Sequence, residues 1–203
     1  MEHASTPNDV SREAAPALAE YVELLLRWNV PLNLIAHRDE LKIWDRHIAD
    51  SLQLAGLMEP RPDRAIDLGS GAGFPGLVLS LATGVPFDLI EADQRKAAFL
   101  REAARVTKAP VQIHPVRVEA AAIAPAPLVT ARALAPLPKL LGLAAPLLAP
   151  GGTCLFLKGA NASAELTHAA TEWHMQVETL PSRTAPGSCI LRITDLSRVA
   201  SKV

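Results

Sequence analysis

Hydrophobic and polar residues alternate in two different ways on either side of Pro62. Before this proline, apolar residues recur every three to four positions in two stretches, which is typical of amphipathic helices. We expect a helix over residues 14–28 and a second helix over residues 39–57, with Asp39 as its N-cap. The predicted buried stripe of the second helix consists of Leu41, Trp44, Ile48, Leu52 and Ala55.

After Pro62, short apolar runs alternate with helical segments, and this predicts parallel strands joined by crossover helices. The expected strands are 65–68, 87–91, 111–114, 128–132 and 153–157, and the expected helices are 75–82, 94–107 and 137–148. The runs at 173–180 and 188–193 predict an antiparallel pair of strands at one edge of the sheet. The pattern therefore predicts an α/β fold with a mostly parallel, seven-stranded sheet.

Composition and charge narrow the class of protein. With 49% hydrophobic and 20% charged residues, the chain has the balance of a globular protein. The N-terminus lacks the basic and apolar blocks of a secretory signal, and prolines and glycines divide the one long uncharged run. We therefore expect a cytoplasmic protein that does not span a membrane, with irregular structure over its first ten residues.

The remaining composition bears on ligands. A net charge of −1 argues against a protein that binds nucleic acid with its whole surface, although it is compatible with a local basic patch. The six histidines lack the spacing of metal ligands, so no metal site is expected. Cys154 and Cys189 lie in apolar runs, which favours buried, reduced thiols.

A glycine-rich loop, IDLGSGAGFPG at residues 66–76, follows the first predicted strand. Its second half matches the GxGxxG pattern of dinucleotide sites, but the carboxylate of Asp67 would repel a pyrophosphate and attract a cation. S-adenosylmethionine carries a sulfonium and an ammonium group and no phosphate. We therefore expect Asp67, Gly69 and Gly71 to bind this cofactor, with Asp67 contacting the ammonium group directly or through water.

An acidic residue follows the second predicted strand. Glu91 lies 22 residues after Gly69, which suits a carboxylate that binds the two ribose hydroxyls. Sites for NAD use an acid at the same place, and Asp93 is an alternative for the role. A dinucleotide-dependent oxidoreductase therefore remains an alternative interpretation of this loop.

Four stretches together resemble a known family. They are RWNVPLNLIAHRDELKIWDRHIADSL at 27–52, IDLGSGAGFPG at 66–76, TARALAPL at 130–137 and LKG at 157–159. In this order they resemble the bacterial glucose-inhibited division protein B family, small-subunit ribosomal RNA methyltransferases that methylate N7 of one guanine in 16S RNA. The resemblance implies a Rossmann-like, class I S-adenosylmethionine-dependent methyltransferase fold with helices on both faces of the sheet.

The resemblance covers about residues 12–193 and has consequences for organisation and partners. We expect residues 1–62 to form an N-terminal helical extension that packs on a methyltransferase domain over residues 63–203. The implied partner is 16S ribosomal RNA or a small ribosomal subunit particle, and the chain is expected to act as a monomer. A non-catalytic ribosome-binding module with a retained cofactor pocket is a further alternative.

Individual site residues are implied by position in the family's motifs. The implied cofactor contacts are Gly69, Phe74, Val118, Glu119 and Arg132. The sequence departs from the family at Glu91, where aspartate is common, and at Ile35, where threonine is usual. The first change retains the charge, whereas the second removes a hydroxyl group.

Methyl transfer to guanine N7 requires that the base and the methyl donor are correctly positioned, and it requires no proton transfer. Guanine N7 has a lone pair and no proton, so no general base is required and no catalytic residue is assigned. Arg132 is a positioning candidate because a guanidinium can donate to guanine O6 or to a phosphate while N7 stays free; a salt bridge to Asp67 or Glu91 is its structural alternative. His47 is a second positioning candidate.

His47 shares a helix face with Asp50 and Ser51, either as a wall of the guanine pocket or as a packing cluster. The side chains expected to contact RNA are Arg46, Arg132 and Lys158. Two larger basic clusters consist of Arg27, Arg38, Lys42 and Arg46 before the sheet, and of Arg95, Lys96, Arg101, Arg105 and Lys108 on one helix. The sequence does not choose between these clusters, because charge runs are usually solvated faces.

Overall fold

The computed structural model describes residues 14–199. The expectation of irregular structure over the first ten residues lies outside this range. The α-helices are α1 (Ala15–Leu32), α2 (Ala49–Leu52), α3 (Gly76–Thr83), α4 (Gln94–Thr107), α5 (Leu137–Ala144) and α6 (Ala162–Ala169). The strands are β1 (Ala65–Leu68), β2 (Phe87–Ile90), β3 (Val111–His114), β4 (Ala126–Arg132), β5 (Leu148–Lys158), β6 (Trp173–Pro181) and β7 (Cys189–Arg198).

All seven strands form one sheet in the order β3-β2-β1-β4-β5-β7-β6. The strands β1 to β5 pair in parallel, whereas β7 runs antiparallel to both β5 and β6. The predicted α/β class and the antiparallel pair at the sheet edge are therefore confirmed. The strand order changes direction between β1 and β4, which is the place where open α/β sheets bind their ligands.

Two hydrophobic cores cover the two faces of the sheet. The first core joins α1, α3 and α4, with Tyr21 and Phe99 among its fully buried side chains. The second core joins α5 and α6, with Phe156 at its centre. The N-terminal helix α1 thus packs on the same core as the helices that follow the glycine loop.

The prediction of one continuous helix over residues 39–57 is wrong. A 3₁₀ turn covers His37–Lys42, a π-helical turn covers Trp44–Ile48, and only Ala49–Leu52 is α-helical before a last 3₁₀ turn at Ala55–Leu57. Asp39 is not an N-cap, because its carboxylate pairs with Arg46 at 3.1 Å. With the helical period broken, Leu41 leaves the predicted buried stripe and is 96% exposed.

Smaller differences concern the second half of the chain. The sequence analysis did not predict α6, and β5 begins at Leu148 rather than at residue 153. Cys154 is buried, and burial raises the pKa of its thiol, but Cys189 is only half-buried, so the expectation of two buried thiols holds for one of them.

Candidate active site

Two cavities open at the carboxyl ends of the parallel strands. The first, which we call the loop cavity, has a volume of about 340 Å³ and is lined by Gly69, Gly71, Glu91, Val118 and Glu119 among others. The second, which we call the ion-pair cavity, has a volume of about 450 Å³ and is lined by Asp39, Arg46, His47, Asp50, Arg132 and Lys158 among others. Ala133 lies in the lining of both cavities.

The glycine loop adopts a backbone that side chains disfavour. Gly69, Gly71 and Gly73 have φ angles of 64°, 57° and 103°. A Cβ atom on Gly69 would also lie 2.5 Å from Leu134, in the segment that follows β4. The positive φ angle therefore favours glycine at position 69, whereas the Leu134 side chain could move aside. The loop also approaches the continuation of β4 closely enough to share a cavity with it.

Glu91 connects the loop to the end of β2. Its Oε2 accepts a hydrogen bond from the Gly71 N–H at 2.8 Å, and its Oε1 accepts one from the Asp93 N–H at 2.7 Å. Asp93, the alternative to Glu91, instead caps α4 by accepting from the N–H groups of Arg95 and Lys96. Glu91 therefore lines the loop cavity, whereas Asp93 is the N-cap of α4.

Val118 and Glu119 lie on a 3₁₀ turn, Val118–Ala120, directly after β3. Both line the loop cavity, with Val118 half-buried and Glu119 exposed. The structure thus brings an apolar side chain and a carboxylate from β3's end to the same cavity as Glu91 and the glycine loop.

Asp67, which we expect to contact the ammonium group of the cofactor, does not line the loop cavity. Its side chain is fully buried behind the loop, where Oδ1 accepts a hydrogen bond from Thr130 Oγ1 at 2.7 Å and Oδ2 has no hydrogen-bond partner among residues 14–199. Burial raises the pKa of this carboxyl to about 6, although the hydroxyl groups of Ser70 and Thr130 lower it. Asp67 therefore lies beneath the loop, where it is shielded from the cavity.

Arg132, at the end of β4, is the centre of the ion-pair cavity. Its Nη1 donates to Asp50 Oδ2 at 3.0 Å and its Nη2 to His47 Nδ1 at 2.5 Å. The guanidinium carbon lies 5.0 Å from the centroid of the Phe74 ring. The carboxylate that pairs with Arg132 is therefore Asp50, and the alternative of a salt bridge to Asp67 or Glu91 is wrong.

His47 is held in one tautomer by Arg132. Because Nδ1 accepts a hydrogen bond from the guanidinium, the imidazole proton is on Nε2. This nitrogen is buried and lies 3.8 Å from Asp39 Oδ2, and within the described part of the chain it has no hydrogen-bond partner. Burial and the nearby charge of Arg132 lower the pKa of His47 to about 4. The ring stacks on Phe74, with centroids 4.9 Å apart. A neutral, oriented imidazole therefore faces the aromatic ring that precedes α3.

The sequence suggests that His47, Asp50 and Ser51 are either a wall of the guanine pocket or a packing cluster, and the structure shows that each interpretation holds for part of the set. His47 and Asp50 line the ion-pair cavity. Ser51 is fully buried, and its hydroxyl donates to the carbonyl oxygen of His47 at 2.8 Å. Ser51 is therefore a packing residue, whereas the other two belong to the cavity wall.

Each basic residue expected to contact RNA is paired with a carboxylate. Arg46 lies 3.1 Å from Asp39, and Arg132 lies 3.0 Å from Asp50. The Lys158 ammonium lies 2.6 Å from Glu165 Oε2 and donates to the carbonyl oxygen of Ala135. The Lys158 side chain is only 9% exposed, so the expectation that it faces an RNA phosphate is not met in this structure.

Two residues that support the site were not expected from the sequence. The Tyr21 hydroxyl, on α1, donates to the carbonyl oxygen of Ala72 in the glycine loop at 2.5 Å, and this contact is buried. Thr184, in the turn between β6 and β7, donates to Asp50 Oδ1 at 2.6 Å. No local pattern marks either contact, because both join segments far apart in sequence.

Two further properties concern the described residues 14–199. No helix among them is long and apolar enough to cross a membrane. Within the same range, no group of three or more histidine, cysteine, aspartate or glutamate side chains is placed to hold a metal ion.

Comparison with known proteins agrees with this geometry. The sequence profile of a family described as rRNA small subunit methyltransferase G matches residues 14–186. A ribosomal RNA small subunit methyltransferase G from Granulibacter bethesdensis is 58% identical over 190 residues, which cover 94% of this chain and 89% of the relative. One of the same name from Gluconobacter oxydans is 53% identical, and the aligned residues cover 94% and 98% of the two chains.

Among solved structures, an O-methyltransferase from Bacillus cereus in complex with SAH superposes with a TM-score of 0.62 at 13% identity, covering 87% of this chain and 91% of that one. At this identity the likeness concerns the fold, and it confirms the predicted Rossmann-like methyltransferase architecture. The sequence matches go further, because they extend over nearly the whole chain, and they set aside the oxidoreductase interpretation of the glycine loop. The chain belongs to the rRNA small subunit methyltransferase G family.

Proposed function

We propose that this chain transfers a methyl group from S-adenosylmethionine to N7 of a specific guanine in the 16S ribosomal RNA of the small ribosomal subunit. The observation that carries the proposal is the pair of adjacent cavities that share Ala133 in their linings. A methyl transfer needs donor and acceptor next to each other and aligned, and two cavities that meet at one residue provide this arrangement.

The loop cavity suits the cofactor. Glu91 places a carboxylate where two hydroxyl groups of a ribose can donate to it, and Val118 supplies an apolar surface for a flat ring. Asp67 is fully buried and does not line the loop cavity, so its negative charge would favour a cationic group in that cavity without touching it. When bound, S-adenosylmethionine supplies an electrophilic methyl group on a sulfonium.

The ion-pair cavity suits the base. Its three cationic side chains each pair with a carboxylate, so the wall presents hydrogen-bond donors and acceptors without a large net charge. A heterocycle such as guanine is uncharged and needs both kinds of partner. Arg132 donates toward O6 from a fixed orientation, because Asp50 and His47 hold its two terminal nitrogens.

No side chain is asked to remove a proton. Guanine N7 attacks with its lone pair, and His47, with a pKa of about 4, is neutral at physiological pH. The contribution of the chain is orientation: the guanidinium of Arg132 binds beside N7 without blocking it, and Phe74 and His47 form a rigid wall behind that guanidinium. Arg132 and His47 are therefore positioning residues in this proposal.

We also propose that the chain acts in the cytoplasm as a monomer, with residues 1–62 as a helical extension of the methyltransferase domain over residues 63–203. The shared core of α1, α3 and α4 supports a single folding unit. Light scattering of the purified protein at micromolar concentration tests the oligomeric state, and a stable dimer would overturn that part of the proposal.

The experiment that tests the function is a map of N7-methylguanine in 16S RNA from cells with and without the gene. We expect one methylated guanine to disappear in the deletion strain and to return with the wild-type gene. The Arg132→Ala variant should not restore it, whereas Arg101→Gln, on the outer surface of α4, should. An unchanged map in the deletion strain would overturn the proposed reaction.

A further inference from the structure

The segment 36–46 forms one side of the mouth of the ion-pair cavity. Asp39 and Arg46, from this segment, line the cavity itself. Arg38 and Lys42 flank Asp39 on the same turns and are exposed. In the described part of the chain, neither of these two cations forms an ion pair or a side-chain hydrogen bond, in contrast to the three paired cations inside the cavity.

The acids of this segment are for the most part turned inward. Asp39 pairs with Arg46, and Glu40 accepts hydrogen bonds from Asn29 and His37. Arg38 and Lys42 are therefore more exposed to solvent than the carboxylates of Asp39 and Glu40. Asp45 is the exception, since it is exposed and has no ion pair among residues 14–199.

A large apolar side chain stands between the two free cations. Leu41 is 96% exposed, and no other segment of the described chain covers it. A single exposed leucine is unremarkable by itself. Its position on a tight turn, between two unpaired cations at the mouth of a cavity, is the arrangement of a contact that is completed by another molecule.

The basic helix α4 is a weaker alternative for the same role. Arg95 donates to the carbonyl oxygen of Pro31, and Arg105 pairs with Glu102. Among residues 14–199, Lys96 also has no ion pair, but it lines the loop cavity that we assign to the cofactor. Arg101 and Lys108, which likewise form no ion pair in this range, lie about 10 and 20 Å along α4 from the end that faces the cavities, at 1.5 Å per residue. Both residues therefore lie toward the far end of α4, away from the site.

We propose that the mouth segment 36–46 is the surface that grips the ribosomal RNA, with backbone phosphates on Arg38 and Lys42 and an unstacked base against Leu41. The ion-pair cavity then receives a single base and no phosphate, because its cations are already neutralised. This inference rests on the proposed function, and it assigns to two different sets of cations the tasks of binding the RNA backbone and of orienting the base.

The test is the salt dependence of RNA binding. The KM for a 16S RNA substrate, free or in the small subunit, is measured with purified full-length protein at several salt concentrations. Each lost phosphate contact should lower the slope of log KM against log salt by about 0.7 to 0.9. We expect this reduction for Arg38→Gln and again for Lys42→Gln, and no reduction for the matched pair Arg101→Gln and Lys108→Gln.

Two further variants distinguish the effect of an apolar contact on RNA binding from the effect of charge. Leu41→Ser should raise the KM about fivefold without changing the slope, because an apolar contact releases no counterions. Asp45→Asn should lower the KM, because it removes a charge that repels phosphate. A slope that falls for the α4 pair and not for the mouth pair would overturn the inference.

The assay also distinguishes this inference from the reaction on which it rests. If the wild-type protein methylates guanine N7 and the Arg38 and Lys42 variants keep the wild-type slope, the RNA surface is elsewhere and the proposed reaction stands. If the wild-type protein transfers no methyl group to the RNA, the proposed reaction itself fails.

Discussion

Asp67 offers a prediction that separates stability from function. Its carboxylate is fully buried; Oδ1 accepts a hydrogen bond from Thr130, and Oδ2 has no partner within hydrogen-bond distance in the described residues. A buried charge that is incompletely compensated destabilises the folded state. Replacing Asp67 by asparagine removes the charge and retains the shape, so the variant should become relatively more stable as the pH rises while it loses cofactor affinity.

The magnitude follows from the pKa of this group. Burial raises the pKa from 3.8 to about 6, so the folded protein binds this proton more tightly than the unfolded chain does. The stabilisation from that proton is fully present below the unfolded value and is lost as the pH rises through about 6. At 1.36 kcal/mol per pKa unit, the total change is about 3 kcal/mol, and about half of it falls between pH 5 and pH 8.

Replacing Asp67 by asparagine does not restore all of the folding stability that the buried charge costs. Its Nδ2 would occupy the place of Oδ2, where the structure shows no hydrogen-bond partner, and an unsatisfied buried donor costs about 1 to 3 kcal/mol. This cost does not depend on pH. We therefore predict how the difference in free energy of unfolding between Asp67→Asn and the wild type changes with pH, rather than its absolute value at one pH.

Urea unfolding of both proteins at several values between pH 5 and pH 8 measures this difference. The free energy of unfolding of Asp67→Asn, relative to the wild type, should increase by about 1 to 2 kcal/mol over that range. Ser80→Ala is the control, because it removes a buried hydroxyl without a titratable group, and its effect should stay constant. A difference that is flat with pH would refute the reasoning about the buried charge.

Calorimetry with S-adenosylhomocysteine completes the experiment on the same two proteins. Weaker binding by Asp67→Asn at pH 8, where the variant is relatively most stable, would show that the charge is kept for the ligand. Unchanged affinity at that pH would contradict the proposed role of Asp67 beneath the loop.

Three more predictions concern the residues around the loop. Tyr21→Phe should leave the buried carbonyl of Ala72 without its donor, lower the stability by about 1 to 2 kcal/mol and weaken S-adenosylhomocysteine binding, whereas Ser80→Ala should lower stability alone in parallel denaturation and calorimetry. Glu91→Gln should weaken cofactor binding at least tenfold, and calorimetry showing the wild-type affinity would disprove the ribose assignment. Arg132→Lys should lower kcat/KM for RNA by about a hundredfold with little change in cofactor affinity, because an ammonium cannot hold both partners of the guanidinium; equal losses in the two measurements would argue against a positioning role.

The regular elements of the fold could be predicted because their signals are local. The strand β1 and the helix α4 begin and end at the predicted residues, since each lies between clear turn or cap signals. The N-cap of α4 illustrates this: Asp93 precedes the helix directly and accepts from two of its first N–H groups. A prediction that depends on four or five neighbouring residues needs no knowledge of the rest of the chain.

The segment 37–57 could not be predicted in this way. Its apolar spacing is helical on average, but Asp39 turns inward to Arg46, and the turns around it are 3₁₀ and π-helical rather than α-helical. The distortion has no local cause in the sequence, because the cavity wall that these side chains complete is formed by β4 and β5. Leu41 is exposed for the same reason.

The sequence predicted which charged residues lie in the site better than it predicted what each of them binds. The sequence identified Arg132 and Lys158 as cations near the ligand, and the structure places both in one cavity. It could not indicate that Asp50, 82 residues from Arg132 in sequence, neutralises one of them. A paired guanidinium is a poor phosphate ligand and a good base-orienting group, because its direction is fixed and its net field is small. The pairing therefore moves the expected phosphate contacts outward, to Arg38 and Lys42, which form no ion pair among residues 14–199. This is the physical reason to look for the RNA backbone at the mouth of the cavity.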